Sequence, residues 1–399
     1  MKTKNTYKIW QINAYFLTFI GISAIFWQGF TSSLVSIREG CGNDGAHYCA
    51  MVGYSPLPNL PNTPYSQRVL LPFLIQLIFN PKSVSDTINS FALLNGILIA
   101  SSCLLIFLIV RKYSKESYLP IIAVILFILH PFTFRLTLTY PVLTDQLSYF
   151  LIFLIIYLIH RTDIYSNILV LFFSGCLLLT RLHQGIIVLV VLFFYYLKFK
   201  RFKLINLTTI PIILLLGLYI ALSSKYFGSS NPDFLEMFIS DLYLSLTDIY
   251  FLGRMLLLIF VGLGIYSIFT LFFIKEILRD PIFLIIFLVS FLNLLASVTF
   301  GAGGDTDRYL AFSGFLLLIL IFSLYERRFK NQIWIIPSFY SAIFLWEPFM
   351  YKFEDELRFE FMFARRWTDP VVVLDRSMNV IIFSIVLIIL SFLLKRKRI

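Results

Sequence analysis

Charge is what this 399-residue chain has least of. Only 14% of its residues are Asp, Glu, Lys or Arg, against about 25% in an ordinary soluble domain. That is too little to coat a water-facing surface of this size. The apolar runs show no residue-by-residue alternation of apolar and polar positions. This excludes a membrane β-barrel, whose strands must alternate between lipid and lumen. Four cysteines are too few for a disulfide-rich scaffold. Internal repeats, low-complexity tracts and a soluble domain are also missing. Lys2, Lys4 and Lys8 precede an apolar stretch from Trp10 to about Val35, with no small-residue cleavage site after it. The stretch is too long for a signal-peptide core and reads as a retained first helix.

What the chain does have is apolar length. Hydrophobic residues make up 59% of it, aromatic residues 18%, and the mean hydropathy is +0.85. Apolar runs of about 15–25 residues, each closed by charges, match the span of a bilayer core. In a non-barrel protein only helices can cross there, because they satisfy their own backbone groups. The expected fold is therefore all-α: a polytopic transmembrane helix bundle forming one domain over residues 1–399. About twelve spans are predicted, at 10–35, 86–110, 118–134, 144–159, 166–180, 184–197, 205–224, 254–274, 281–300, 309–325, 332–347 and 379–394. Val69–Phe79 is too short to cross and contains Pro72, so it is expected to be an interfacial or re-entrant helix.

The net charge of +11 would suggest nucleic acid in a soluble protein. Here the basic residues sit at segment ends, which points to membrane topology and to no nucleic-acid partner. With both termini inside, about 20 of the 33 basic residues fall on short inner loops, including Arg111, Lys112, Lys115, Arg161, Arg327 and Arg328. About 17 of the 22 acids fall outside, where the long loops 36–85, 225–253 and 348–378 also lie. Such loops carry function more often than short connectors do. In 225–253, Asn231-Pro232-Asp233 reads as a helix start and Phe234, Phe238, Leu242 and Leu246 repeat every four residues, as in a helix lying on the membrane. Residues 348–378 are read as a second extracytoplasmic juxtamembrane segment. Cys41 and Cys49 share the first loop, and a disulfide is open to them if that loop faces an oxidising compartment.

Four outer patches carry groups able to do chemistry. Gly40 to Tyr48 places Asp44 between glycines, as a tight turn presenting a carboxylate would, with His47 one helical turn later. The competing reading is an ordinary polar turn. Arg68 precedes the short helix, where a cation meets the unfavourable end of the dipole and calls for an anion, either Asp44 or a ligand phosphate. Thr144 or Asp145 could cap the following helix, or Asp145 could act as a second carboxylate. The arms 166–180 and 184–197 are about 22 Å long against a core of about 30 Å. The turn Thr180-Arg181-Leu182-His183 should then lie below the outer surface. An arginine there needs a partner, either a structural carboxylate or a ligand. Gly301 to Tyr309 adds Asp305, Asp307 and Arg308 at the start of a span. Carboxylates and arginines at a membrane boundary suit attack of a hydroxyl on a lipid-linked phosphosugar, with an acid as general base and arginines on the phosphate.

Asn43-Asp44-Gly45-Ala46-His47-Tyr48, Tyr65-Ser66-Gln67-Arg68-Val69-Leu70-Leu71-Pro72, the arms around Thr180-Arg181, and Asp307-Arg308-Tyr309 resemble the GT-C superfamily of membrane glycosyltransferases. The resemblance implies a polyprenyl-phosphate sugar donor and a catalytic acid in the first external loop, which falls on Asp44. The family has no single fixed motif for its phosphate cations, leaving Arg68, Arg181 and Arg308 as the candidates. Asn43 stands where the family often has a second adjacent acid, so no metal ligand is assigned. The expected function is an inverting glycosyltransferase of a bacterial plasma (inner) membrane, acting on an extracytoplasmic glycan, glycolipid or protein. Asp44 is its base, with Asp145 and His47 as further catalytic candidates. Arg68, Arg181, Arg308, Asp307, Tyr48 and His183 are its substrate-binding candidates. The lipid-linked donor is the one cofactor assigned, and the sequence leaves dependence on a divalent metal open. The rival readings are a secondary transporter or lipid flippase, and a polysaccharide polymerase or ligase using a lipid-pyrophosphate donor.

Overall fold

The length of the apolar runs dictates the elements, and in the computed structural model the described residues form regular structure only as helices. The description covers residues 41, 43–53, 68–116, 118–130, 132–133, 137, 140–161, 163–198, 263, 265–300 and 306–329. In chain order the helices are α1 Asn43–Val52, α2 Leu70–Phe79, α3 Val84–Tyr113, α4 Tyr118–Leu129, α5 Asp145–Ile159, α6 Ile164–Leu178 and α7 Leu182–Lys198. A 3₁₀ segment, Ile265–Phe273, leads into α8 Ile274–Arg279, then α9 Pro281–Phe300 and α10 Thr306–Phe329. The expected spans at 10–35, 205–224, 332–347 and 379–394, and the loop helices in 225–253 and 348–378, lie outside the described residues.

Local chemistry sets the boundaries. Ser83 caps α3 through Asp86 N–H, and Asp163 caps α6 through Ser166 N–H at 2.8 Å. Pro281 opens α9 where no N–H is needed, with Asp280 Oδ1 accepting from Ile282 N at 3.0 Å. The short Val69–Phe79 segment is helical over ten residues, as read, and Pro72 fits because it lies in the first turn. It ends on Asn80 in the left-handed region (φ 43°), a conformation asparagine tolerates. Part of the predicted span 254–274 departs from expectation. Its described residues from Ile265 wind as 3₁₀ rather than α-helix.

Two stretches, Val84–Tyr113 and Tyr309–Phe329, are long and apolar enough to cross a membrane. The thirty residues of α3 reach about 45 Å. Packing runs α3 against α4, α5 and α10, with α9 on α10 and α7. Phe315 of α10 sits in an aromatic knot, its ring 4.8 Å from Phe127, 4.7 Å from His130 and 4.9 Å from Tyr149. The outside of the bundle stays greasy: Leu93, Ile97, Leu104, Ile168, Phe172, Phe194 and Phe291 are all exposed. Lipid accepts such a surface, whereas water penalises it.

The two short arms are the feature that positions the site. The helices α6 and α7 have 15 and 17 residues, and the turn between them buries Thr180 (0% exposed) and Arg181 (1%). A β-carbon on Gly185 would stand 2.6 Å from the Leu178 backbone nitrogen, so only glycine lets the arms approach this closely. Gly185→Ala should lower stability by about 1–3 kcal/mol, read as a drop in the thermal midpoint of the detergent-purified protein; an unchanged midpoint would show that the hairpin is loosely packed.

Candidate functional site

The site begins with a turn held by one amide. Asn95 of α3 is buried and donates to the carbonyls of Pro141 (2.7 Å) and Leu143 (2.9 Å). Gln146 Nε2 reaches back to the Phe132 and Thr133 carbonyls at 3.2 Å each. These bonds deliver Asp145 as the first residue of α5. Of the two capping candidates, Thr144 occupies the cap position without making a side-chain cap bond. Asp145 turns its carboxylate to Arg181, whose Nη2 donates to Asp145 Oδ1 in an ion pair 1% and 3% exposed. Arg181 therefore has a carboxylate partner, one of the two kinds its burial called for.

Arg181 has capacity beyond that pair. Its Nε and Nη1 are buried and have no hydrogen-bond acceptor among the described residues. The guanidinium lies over the Tyr309 ring, 4.8 Å from its centroid, a geometry in which the ring quadrupole attracts the cation. The turn carrying it is fixed by Arg181 N to Leu177 O (2.7 Å) and by Leu70 N to Leu179 O (3.3 Å). The second bond ties the start of α2 to the turn and so brings Arg68 in.

Arg68 is buried and donates to two phenols, Tyr48 Oη at 2.8 Å and Tyr309 Oη at 2.7 Å. Sequence reading gave Tyr309 no role, yet it is the hub. Its hydroxyl receives Arg68, its face receives Arg181, and its ring meets that of His183 edge-on at 5.4 Å. Asn293 Nδ2 holds the Tyr309 carbonyl at 3.1 Å and Ser313 Oγ at 2.8 Å, and Ser313 Oγ in turn donates to Ser290 O at 2.9 Å. The available signal was position: Tyr309 follows Arg308 at the mouth of a span, beside a Gly-rich turn. His183 Nε2 is buried with no hydrogen-bond partner among the described residues.

Five sequence-selected residues thus converge: Tyr48, Arg68, Asp145, Arg181 and His183. His47 is half-buried on α1. The side chains of Asp44, Asp307 and Arg308 lie outside the described residues. The expectation of a tight glycine turn around Asp44 is corrected, because Asn43–Val52 is a helix with Asp44 in its first turn. Gly45 serves close packing instead. A β-carbon there would stand 2.3 Å from Val142 Cγ2, and its N–H donates to Tyr140 Oη at 2.5 Å. Cys41 and Cys49 are joined in a disulfide against this helix. Among the described residues no group of three or more His, Cys, Asp and Glu side chains is arranged to hold a metal ion.

In chemical terms the site is a buried guanidinium with donors to spare, a second guanidinium held by phenols, and an imidazole nitrogen beside them. Such donors suit an oxyanion, above all a phosphate. Comparison with family models, characterised proteins and solved structures finds no match to this chain, so the reading rests on this geometry.

Asp145→Ala should cost about 3–5 kcal/mol by leaving the Arg181 charge buried without its carboxylate, seen as a lower unfolding midpoint. Adding Arg181→Met should recover part of that loss. A double variant no better than the single one would show that the pair is not the unit of stability.

Proposed function

We propose that this chain is an inverting glycosyltransferase that takes a sugar from a polyprenyl-phosphate donor and passes it to an extracytoplasmic acceptor. In this reading it is a bundle of about twelve spans with both ends inside a bacterial plasma membrane. The observation that carries it is Arg181, buried against Asp145 and Tyr309 with two nitrogens lacking acceptors among the described residues. A cation kept at that depth with unused donors is a functional candidate by default.

Two further features support the placement. The starts of α5 and α10 and the α6–α7 turn make up one end of the bundle, while Arg111, Lys112, Arg161, Arg327 and Arg328 lie at the other. Basic residues mark the inner side, which leaves the arginine site outside. The Cys41–Cys49 disulfide ends on the residue after Tyr48, as an oxidising compartment allows.

The chemistry then divides among named residues. Asp44 takes the proton of the acceptor hydroxyl as that oxygen attacks the anomeric carbon. The bond to the donor phosphate oxygen breaks with inversion, and charge grows on the leaving phosphate. Arg181 and Arg68 stabilise that charge in a site shielded from water, where fixed donors are worth most. Tyr309 keeps both guanidiniums oriented. Phosphate leaves readily, so protonation of the leaving group is not required.

The test is sugar transfer from a polyprenyl-phosphate donor by purified protein in lipid vesicles. Asp44→Asn should abolish transfer while the protein stays folded. Arg181→Lys, which keeps the charge facing Asp145 but loses the planar fork, should lower turnover by about 10²-fold. Wild-type turnover by Asp44→Asn would sink the assignment of the base. Solute uptake by the vesicles without any transfer would favour a transporter instead.

A further inference from the structure

At the end of the bundle opposite Arg181, α3 and α5 finish side by side and enclose a cleft of about 140 Å³. It is lined by Leu108, Ile109, Lys112, Tyr157, His160 and Arg161. Both helices present their C-termini here, the end at which unsatisfied carbonyl groups favour cations.

The charge in the cleft can be assigned from hydrogen bonds. His160 Nδ1 lies 2.6 Å from the Ile156 carbonyl and Nε2 lies 2.5 Å from Tyr113 Oη. A carbonyl only accepts, so Nδ1 donates, and in the neutral ring Nε2 then accepts from the phenol. Burial, the largest influence on this ring, also holds its pKa below the usual histidine value. The positive charge therefore belongs to Lys112 and Arg161, both exposed. Arg161 lies over the Tyr157 ring (5.4 Å) and donates to its hydroxyl at 3.3 Å. Neither cation forms an ion pair with a described carboxylate. Asp280 and Asp163, whose charges reach His160 and Arg161, are engaged elsewhere. Asp280 takes the amides of Ile282 and Phe283, and Asp163 takes Ser166.

The surface leading into the cleft is apolar. Leu93, Ile97, Leu104 and Leu108 are exposed on α3 at spacings that keep them on one helix face. Lys112 follows Leu108 by one turn, so the greasy stripe ends on a cation. The cleft has room for several water volumes, at about 30 Å³ each, which suits a phosphate-sized group rather than a hydrocarbon chain.

We propose that this cleft binds the phosphate of an anionic phospholipid of the inner leaflet, held by Lys112 and Arg161, with an acyl chain lying along Leu104 and Leu108. The site is independent of the sugar-transfer reading and needs only that the bundle sits in a membrane with this basic end on the inner side. Basic pockets between helices on the cytoplasmic side are recognised lipid-headgroup sites on electrostatic grounds. Here a cleft, two cations free of ion pairs among the described residues and an apolar approach occur together.

Native mass spectrometry of the full chain tests this, after equilibration in micelles containing equal phosphatidylglycerol and phosphatidylcholine. The wild type should retain one phosphatidylglycerol per chain in preference to phosphatidylcholine. Lys112→Gln and Arg161→Gln should each reduce that retention about fivefold, the equivalent of about 1 kcal/mol per cation. Both positions are exposed, so folding should be unaffected. Excess inorganic phosphate should fail to displace the lipid, because it lacks the chain that α3 holds. Equal retention of the two lipids, retention unchanged in the double variant, or displacement by inorganic phosphate would each overturn the proposal.

Discussion

A guanidinium and a carboxylate taken fully out of water impose a constraint that the Arg181 end of this bundle is built to meet. Arg181 and Asp145 are both essentially inaccessible, and removing each from water costs several kcal/mol that only close pairing and further hydrogen bonds offset. Pairing requires that the α6–α7 turn and the start of α5 meet within hydrogen-bond reach. The first is possible because Gly185 lets the two arms close against Leu178, and the second because Asn95 clamps the carbonyls before Asp145. Tyr309 then covers the remaining face of Arg181 and joins it to Arg68. Each support comes from a different helix, so the ion pair and the helix packing stabilise one another.

The two ends of the bundle use cations in opposite ways. At the Arg181 end the described arginines, Arg68 and Arg181, are buried and held by tyrosines and a carboxylate. At the basic end Lys112, Arg161, Arg327 and Arg328 lie at or near helix C-termini, where the dipole favours them and long side chains reach polar surroundings. Ties across that end are ordinary. Arg328 bonds Glu276 at 2.9 Å and 3.2 Å, and Glu326 accepts from Ser114 at 2.5 Å and Glu116 N at 2.7 Å. The exposed Arg328–Glu276 pair contributes little energy, and cohesion at that end comes mainly from packing, notably the Phe329 ring of α10 against Phe269, Phe272 and Phe273. The buried end is the specific one.

Legibility in the sequence followed the range of the physics involved. Helix positions were readable because apolar length and end charges are local properties: α9 matches its expected limits, and α5, α6 and α7 differ by a few residues from theirs. The need of Arg181 for a partner was readable for the same reason, since the turn between two short arms was expected to lie below the membrane surface. Thr144 was ambiguous because a capping residue and a passing one look alike until the backbone is placed. Gly45 misled. Glycine permits a turn, but it equally permits close approach in a helix, and only the positions of Tyr140 and Val142 distinguish the two. Tyr309 was marked only by its position after Arg308, and not as a hub, because its three partners, Arg68, Arg181 and His183, are each more than a hundred residues away.

By itself, then, the sequence determined an all-helical chain with greasy surfaces, short arms bearing a deep arginine, and acids and arginines concentrated in particular turns. These follow from hydrophobic length, charge scarcity and helix rise, which act over one segment at a time. The tertiary structure alone decided which carboxylate faces Arg181, that a phenol rather than an acid joins it to Arg68, and that Asn95 and Asn293 hold the pieces in register. Those are choices among distant partners, and they are settled by packing geometry. The cost of burying a charge says that a partner must exist; only the fold says which residue it is.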